Sequence, residues 1–358
     1  MNNLQVYHKL CAQLRQWWPE ERVTRVRNSA LLVMGLYLGK AVHMAHIVRA
    51  WPLPGKDPSL VNRLRRFLDN DRVEVAKWYR PVIEPILNSL TGQSIRLVLD
   101  VTKVGLGHRM AMVGLAYRRR TLPIAWLVVK GQKGHIAHQA NIRLLREVQA
   151  LLPAHSPIEV VADAGYESVH LFRWLCRQHW HFVIRLAGRT QVSPDGVKWL
   201  KLNHYSLEKG YTRVIGWVRV TALHNFGWLY LVLHWERTED EPWYLISNHA
   251  LAPQSLIRQY ARRMWIEEMF GDMKAHGFNL ESTHLRDAQR ISRLVLGVCI
   301  AYLWLISIGS WVVKNGWRHW VDVKSRRDKS YFRLGWDWLA RCLRFNLPFP
   351  IRFFPYYL

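Results

Sequence analysis

The spacing of apolar positions changes near residue 93 of this 358-residue chain. Before that point, apolar and basic residues alternate at the spacing of amphipathic helices, so residues 1–92 are predicted to form a helical domain. After it, short apolar runs alternate with turn-forming residues, which is typical of strands. The order β-β-β-α-β-α-β predicts an α/β fold for residues 93–187. The predicted strands cover 95–101, 110–117, 122–129, 158–162 and 181–186, and the predicted helices cover 138–151 and 168–178.

The pattern changes again after the last of these strands. Short β-like runs between charged or turn-forming stretches predict a β-rich insertion at residues 188–250. Residues 251–316 begin with a helix, for which Pro253 is placed in the first turn and Gly277 just beyond the end, as helix termini favour. A basic, aromatic tail covers residues 317–358.

Residues 294–313 form a run of twenty residues without a charged side chain, which is long enough to span a membrane. The run contains glycine and serine, and it directly follows a charged helix. A fully buried core helix has the same composition. We therefore predict a core helix and no membrane association, with a membrane span as the alternative.

The chain is strongly basic, with 51 Lys and Arg residues against 26 Asp and Glu residues and a formal net charge of +25. This excess predicts a polyanionic partner, either nucleic acid or an anionic membrane surface. The 19 Trp residues offer faces on which unpaired bases stack, although core packing is the commoner role of such residues. The four cysteines are scattered without a CxxC pair, so neither a zinc site nor a disulfide framework is predicted and a cytoplasmic location is expected.

Four polar side chains of the helix after residue 251 fall on one stripe. At about 100° per residue they lie within roughly 60° of one another, and they are Tyr260, Arg263, Glu267 and Lys274. Glu267 is suited to a hard metal ion, and Arg263 and Lys274 are suited to phosphate oxygens beside it. The alternative is a surface helix with i,i+4 ion pairs, since Arg263 and Glu267 have that spacing.

Two further acids lie at the ends of predicted apolar strands. Asp100 is embedded in the first strand, where an unpaired carboxylate is costly, so it needs either a metal ion or a buried cation. Asp163 follows the fourth strand and suits a metal site, a turn or a helix cap. With Glu267 they make three carboxylates, a set that suits two Mg²⁺ ions about 3.5–4 Å apart.

The spacing Tyr-x2-Arg-x3-Glu-x6-Lys of residues 260–274 resembles the YREK signature of bacterial insertion-sequence transposases, the DDE enzymes of the insertion-sequence-four family. All four residue types and all three gaps match. The order of strands and acids in residues 94–315 is also similar to the ribonuclease-H-like catalytic core of these enzymes, which many members interrupt with a β-rich insertion. The resemblance implies that residues 1–92 bind DNA; oligomerisation or packing is the alternative role of these helices.

The resemblance implies, position by position, that Asp100, Asp163 and Glu267 are the catalytic acids and the metal ligands. The metal would be two Mg²⁺ ions, with Mn²⁺ as a substitute. Relatives often carry an arginine directly after the second acid, whereas this chain has Ala164, which removes one candidate DNA contact. Glu268 is the alternative to Glu267, but it points about 100° away on the helix.

The resemblance also implies DNA-binding side chains around these acids. Tyr260, Arg263 and Lys274 would position DNA phosphates. Trp243 resembles the tryptophan that stacks on a flipped base in hairpin-forming members, and such a platform offsets the cost of unstacking the base. Core packing within a strand is the alternative role for Trp243.

Taken together, the sequence predicts a cytoplasmic, nucleoid-associated DDE transposase that acts on double-stranded DNA. It would cut at the terminal inverted repeats of its element and join the 3′ ends to target DNA, and the family implies a homodimer on paired ends. Two other hypotheses stay open. One is a ribonuclease-H-fold nuclease that cuts without joining, and the other is a non-catalytic DNA-binding protein descended from a transposase.

Overall fold

The computed structural model describes residues 2–131 and 136–356, which combine helices with one large mixed sheet. The helices in these residues are α1 (Asn3–Trp17), α2 (Val23–Gly39), α3 (Met44–Arg49), α4 (Asp57–Leu68), α5 (Val75–Asn88), α6 (His138–Gln149), α7 (Val169–Arg177), α8 (Pro253–Ala261), α9 (Met264–Met273), α10 (Ala288–Lys314) and α11 (Tyr331–Arg344). The strands are β1 (Ile95–Val104), β2 (His108–Tyr117), β3 (Arg120–Lys130), β4 (Ile158–Ala162), β5 (His181–Leu186), β6 (Gln191–Ser193), β7 (Leu200–Lys201), β8 (Thr212–Val220), β9 (Phe226–His234) and β10 (Trp243–Ser247).

The first five strands form one side of the sheet and bring two acids to the same level. The strand order is β3-β2-β1-β4-β5, in which β1 to β3 are antiparallel while β4 and β5 run parallel to β1. Leu99 of β1 pairs with Ala162 of β4, so Asp100 and Asp163 follow adjacent positions of neighbouring strands. The element order predicted for residues 93–187 is confirmed.

The strands predicted in the insertion are also present, and they extend the same sheet. The order continues from β5 through β10, β9 and β8 to β6 and β7, so the last strand of the insertion lies between β5 and β9. The short helix α8 packs across β4, β5, β10 and β9. This arrangement connects the insertion directly to the strands that carry the acids.

The apolar run near the C-terminus is a buried helix. The most apolar window of α10 has a mean hydropathy of 2.1, and 94% of it is buried inside the fold against α11, α2 and β3. Two glycines allow α10 and α11 to touch, because a Cβ on Gly309 would lie 1.8 Å from the Tyr331 carbonyl oxygen and one on Gly335 would lie 1.9 Å from that of Leu305. The predicted core helix is confirmed by this packing.

Candidate active site

The helix predicted to carry the four-residue stripe is divided in two. Between α8 and α9, Arg262 and Arg263 keep helical backbone angles, but the amides of Trp265 and Ile266 bond to carbonyls three residues earlier. This tighter turn is a short 3₁₀ segment, which advances each residue further around the axis than an α-helix does. α9 also ends at Met273, so the prediction that the helix would continue to the position before Gly277 is wrong.

Asp100 lies within β1 and faces the start of α9. Its Oδ1 accepts a hydrogen bond from the Val101 amide at 2.7 Å, and its side chain is 13% exposed. The pKa of Asp100 is raised from 3.8 to about 7: burial is the largest cause and the charges of Asp163 and Glu267 add to it, while Arg263 opposes them. Asp100 is therefore close enough to Asp163 and Glu267 for their charges to disfavour its ionised form.

Asp163 follows β4 and has one oxygen engaged in a local turn. Its Oδ1 accepts a hydrogen bond from the Gly165 amide at 2.9 Å and caps the short 3₁₀ helix Ala164–Tyr166. The capping role left open by the sequence is thus present, and a carboxylate has a second oxygen for another partner.

Arg263 joins two of the three acids. Its Nη1 lies 3.5 Å from Oδ2 of Asp100 and 2.5 Å from Oε1 of Glu267. Burial acts to lower the pKa of Arg263, but Tyr260, Glu267 and Asp100 outweigh it, so the net shift is upward. The predicted i,i+4 pair between Arg263 and Glu267 is confirmed, and the guanidinium supplies the positive charge that the buried carboxyl of Asp100 requires.

Tyr260 and Trp243 are both buried beside this site. Tyr260 is 2% exposed and Trp243 is 9% exposed, and their ring centroids lie 4.9 Å apart in an edge-to-face arrangement. Burial raises the pKa of the Tyr260 phenol, so the ring carries a neutral hydroxyl. The core-packing alternative for Trp243 is therefore present in the fold, and base stacking stays a prediction that requires the ring to become exposed.

Lys274 does not lie on the stripe with the other three side chains. It follows the last residue of α9 with non-helical angles, φ −98° and ψ −124°, and its Nζ contacts Oε1 of Glu281 at 2.6 Å. The expectation that one helix face would carry all four residues is wrong for this position, because the helix ends before it.

Glu268 has a partner of its own, away from the carboxylates. Its Oε2 lies 2.9 Å from Nη1 of Arg120, whose Nε also contacts Asp272 at 2.7 Å. Two acids and one arginine thus form a separate ion-pair group between β3 and α9. This placement agrees with the prediction that Glu268 points away from Asp100.

Two residues of the site were not among those predicted. Tyr166 is fully buried, and burial together with the charges of Asp100 and Asp163 raises its pKa well above the ordinary value. Arg185 of β5 contacts Glu241 at 2.8 Å and favours the ionised form of Tyr260. Tyr166 ends the same short motif as Asp163, so its spacing from that acid was the available sequence signal.

Carboxylates in this number and this degree of burial are suited to divalent cations. Within residues 2–131 and 136–356, however, no three His, Cys, Asp or Glu side chains are arranged to hold a metal ion. The donor chemistry fits, since Asp100 is raised to a pKa of about 7 by burial and by negative neighbours that a cation would neutralise. Binding would require Arg263 to give up its contacts with Asp100 and Glu267.

Comparison with known proteins yields one family match. The family described as "Transposase DDE domain" matches residues 101–304, which is more than half of the chain. No curated protein matches the chain. Among solved structures, the cryo-EM structure of the piggyBac transposase synaptic complex with hairpin DNA is similar at 11% identity and a TM-score of 0.44, covering 97% of this chain and 84% of that one. At that TM-score the likeness carries no argument.

Proposed function

This chain belongs to the family of transposases with a DDE domain, and we propose that it moves its element by cut-and-paste transposition. It would nick the DNA at the ends of an insertion sequence, free the second strand and join the 3′ ends to target DNA. The observation that carries the proposal is the placement of the three acids: Asp163 follows the strand position next to that of Asp100, and Arg263 contacts both Asp100 at 3.5 Å and Glu267 at 2.5 Å.

The topology supports a finer assignment of the fold. A three-stranded antiparallel meander continued by two strands parallel to its first member matches the order expected of a ribonuclease-H-like core, and β6 to β10 fall within the expected insertion. The YREK spacing supports membership of the insertion-sequence-four group. Lys274 lies beyond the end of α9, but all four residue types and their spacing in the sequence still match the signature.

Each residue of the site has a defined proposed role. Asp100, Asp163 and Glu267 would hold two divalent ions, Mg²⁺ or Mn²⁺. Such ions activate a nucleophilic oxygen and stabilise the leaving one in phosphoryl transfer. Arg263 would exchange its carboxylate contacts for a phosphate oxygen when these acids take up their metal, because a guanidinium binds either anion.

The residues around the acids would complete the DNA contacts. Tyr260 holds Trp243 and Arg263 in position through packing, and its ring lies 5.9 Å from the Arg263 guanidinium carbon. Lys274 would reach a phosphate further along the same strand after leaving Glu281. Trp243 would stack on a base only if α8 moves, since α8 contributes Tyr260 to the cluster that covers it.

The rest of the chain supports a larger assembly on DNA. The net charge of +25 suits a polyanion, and we assign the element ends to the N-terminal helices of residues 1–92. A homodimer would hold two paired ends, each bound as double-stranded DNA, in the cytoplasm near the nucleoid. These assignments extend the family's activity to this chain and predict that one protomer alone does not complete transposition.

The decisive experiment uses a labelled duplex that carries the inverted repeat flanking the gene, together with a supercoiled target plasmid. With Mg²⁺ we expect a nick at the repeat end and covalent joining of that end to the plasmid. Nicks without joined products would instead identify a nuclease. Binding without nicks in either Mg²⁺ or Mn²⁺ would identify a non-catalytic DNA-binding protein, and both results would overturn the proposal.

A further inference from the structure

The turn between α8 and α9 directs two consecutive arginines to different places. Arg263 reaches Asp100 and Glu267, as described above. Arg262 instead lines a cleft on another side of the turn, close to Arg96 of β1. Of these two arginines, only Arg263 has a role in the proposed mechanism, and Arg262 has none.

The cleft is cationic and contains no acid. It has a volume of about 320 Å³ and lies between the start of β1, the end of β2 and the start of α9. Its polar and aromatic lining consists of Gln93, Ser94, Arg96, Tyr117, Arg118, Arg262 and Trp265. Glu159, outside the lining, is bound to Arg96 at 2.9 Å. Three arginine guanidinium groups around a space with no carboxylate in its lining suit an anion.

The charge of Arg262 is not balanced within the fold. Among the residues that the structure describes, Arg262 forms no ion pair, and its neighbours include the cations Arg96 and Arg258. Burial lowers the pKa of Arg262, and Arg96 and Arg258 lower it further, whereas only Glu159 opposes them. A bound anion would therefore offset the repulsion between Arg262 and the neighbouring cations Arg96 and Arg258.

The edge of the cleft is formed by a strained turn that carries two more arginines. Arg118 and Arg119 connect β2 to β3 as a two-residue loop, with φ of 44° and 63°. Such loops strongly favour Asn-Gly, because residues with a Cβ pay roughly 1–2 kcal/mol in the left-handed region. Strain of this kind is often retained where the side chains serve a function.

We propose that this cleft is a second phosphate site, in which Arg262, Arg96 and Arg118 hold a phosphodiester group of bound DNA. The inference rests on the proposed function, since it assumes that DNA enters the carboxylate site on the other side of the turn. DNA passing the turn would then meet one arginine on each side, Arg263 beside the reacting phosphate and Arg262 at a distant one. Arg262 is thus a positioning residue.

The test is the salt dependence of DNA affinity, measured by fluorescence anisotropy with a fluorescein-labelled duplex in chelator, at about 50 to 200 mM KCl. Replacing Arg262 by Gln should make the log–log slope shallower by about 0.9, the value for one phosphate. Arg262→Lys should keep the wild-type slope, because it retains the charge. Arg237→Gln, an exposed arginine of the insertion, is the control for loss of any one charge.

The melting temperature distinguishes a DNA-binding role of Arg262 from a structural one. Because Arg262 lies among like charges, Arg262→Gln should melt at or above the wild-type temperature. A shallower slope with unchanged or raised stability supports the site. An unchanged slope in the folded variant overturns it, and so does a lower melting temperature that accompanies the loss, since that assigns Arg262 a structural role. A wild-type slope near zero would instead refute DNA binding and the proposed function itself.

Discussion

The two halves of the ten-stranded sheet differ in charge although they share one hydrogen-bonded framework. Residues 93–187, which form β1 to β5, carry 13 Lys and Arg residues against 5 Asp and Glu residues. Residues 188–250, which form β6 to β10, carry 7 against 6. The first half contains two of the three converging acids, whereas the second exposes Trp217 and Trp228 to 45% and 46%.

We infer from this difference in charge that the first half of the sheet contacts DNA and the second half supports the site. Positive charge is what a phosphate backbone requires, and Arg263 and Arg262 place it beside Asp100 and at the turn between α8 and α9. The nearly neutral strands β8 and β9 add little to that attraction. Their contribution reaches the site through β10, whose Trp243 packs behind Tyr260. We therefore expect changes in the first half to alter DNA chemistry and changes in the second to alter stability.

The largest expected effect is the loss of strand cleavage when one acid is neutralised. Asp100→Asn, Asp163→Asn and Glu267→Gln should each slow nicking by roughly a thousandfold or more, since residues that act as a unit fail together. Glu268→Gln is the matched control, because this neighbour pairs with Arg120. Single-turnover cleavage of a labelled duplex measures the rates. Equal losses in the Glu267 and Glu268 variants would contradict the assignment.

The acids were predictable because strand patterns and acid positions are local features. The strand bounds 158–162 and 181–186 were predicted to the residue, and the acid after β4 followed directly. The break between α8 and α9 was not predictable, since apolar spacing continues through it and hydrogen bonds to carbonyls three residues back decide the turn. Lys274 was misplaced for the same reason, because the end of α9 carries no glycine at the cap.

The next largest effect contrasts a buried tryptophan with an exposed one in the insertion. Trp243→Ala should lower the free energy of unfolding by about 3–5 kcal/mol, because it leaves a cavity against Tyr260. Trp217→Ala, at a side chain that is 45% exposed, should cost no more than about 1 kcal/mol. Urea denaturation measures both values. Similar costs would show that the insertion does not support the site through Trp243.

The substitution Trp243→Phe, which preserves the fold, then tests whether Trp243 stacks on a base. Trp243→Phe should keep most of the packing, so its effect on hairpin formation is separable from stability. Loss of a stacking platform costs about 1–3 kcal/mol per base. We expect Trp243→Phe to form fewer hairpins while nicking at the wild-type rate. Hairpin yield equal to that of wild type would leave Trp243 with its packing role alone.

A smaller effect is the pH dependence that Asp100 imposes on the metal-free protein. Its pKa rises from 3.8 to about 7 on folding, so the folded state binds this proton more tightly than the unfolded state. The stabilisation from Asp100 is therefore complete below about pH 4 and is lost as the pH rises towards 7. In chelator, Asp100→Asn should melt above wild type at pH 8, and the difference should disappear as the pH falls below about 4.

Divalent metal should also change the difference in melting temperature between wild type and Asp100→Asn. At pH 8, Mg²⁺ or Mn²⁺ should raise the melting temperature of wild type, because a cation neutralises the repelling carboxylates. Asp100→Asn should gain much less. The sequence spacing of Asp100 and Glu267 did not reveal that Arg263 lies between them, because packing of α9 against β1 sets that contact.

The smallest expected effect concerns strained turns in the two halves. Replacing Arg118 by Asn and Arg119 by Gly should stabilise the protein by about 1–2 kcal/mol, since both residues have positive φ, and should make the salt slope of DNA binding shallower. Thr221 has φ of 59° in the insertion, so Thr221→Gly should also relieve strain but leave the slope unchanged. Urea denaturation and anisotropy on the same preparations test both. If both changes stabilise the protein and neither alters the slope, the turn at Arg118 and Arg119 is strained but does not bind DNA. The difference in charge between the two halves of the sheet would then not correspond to a difference in function.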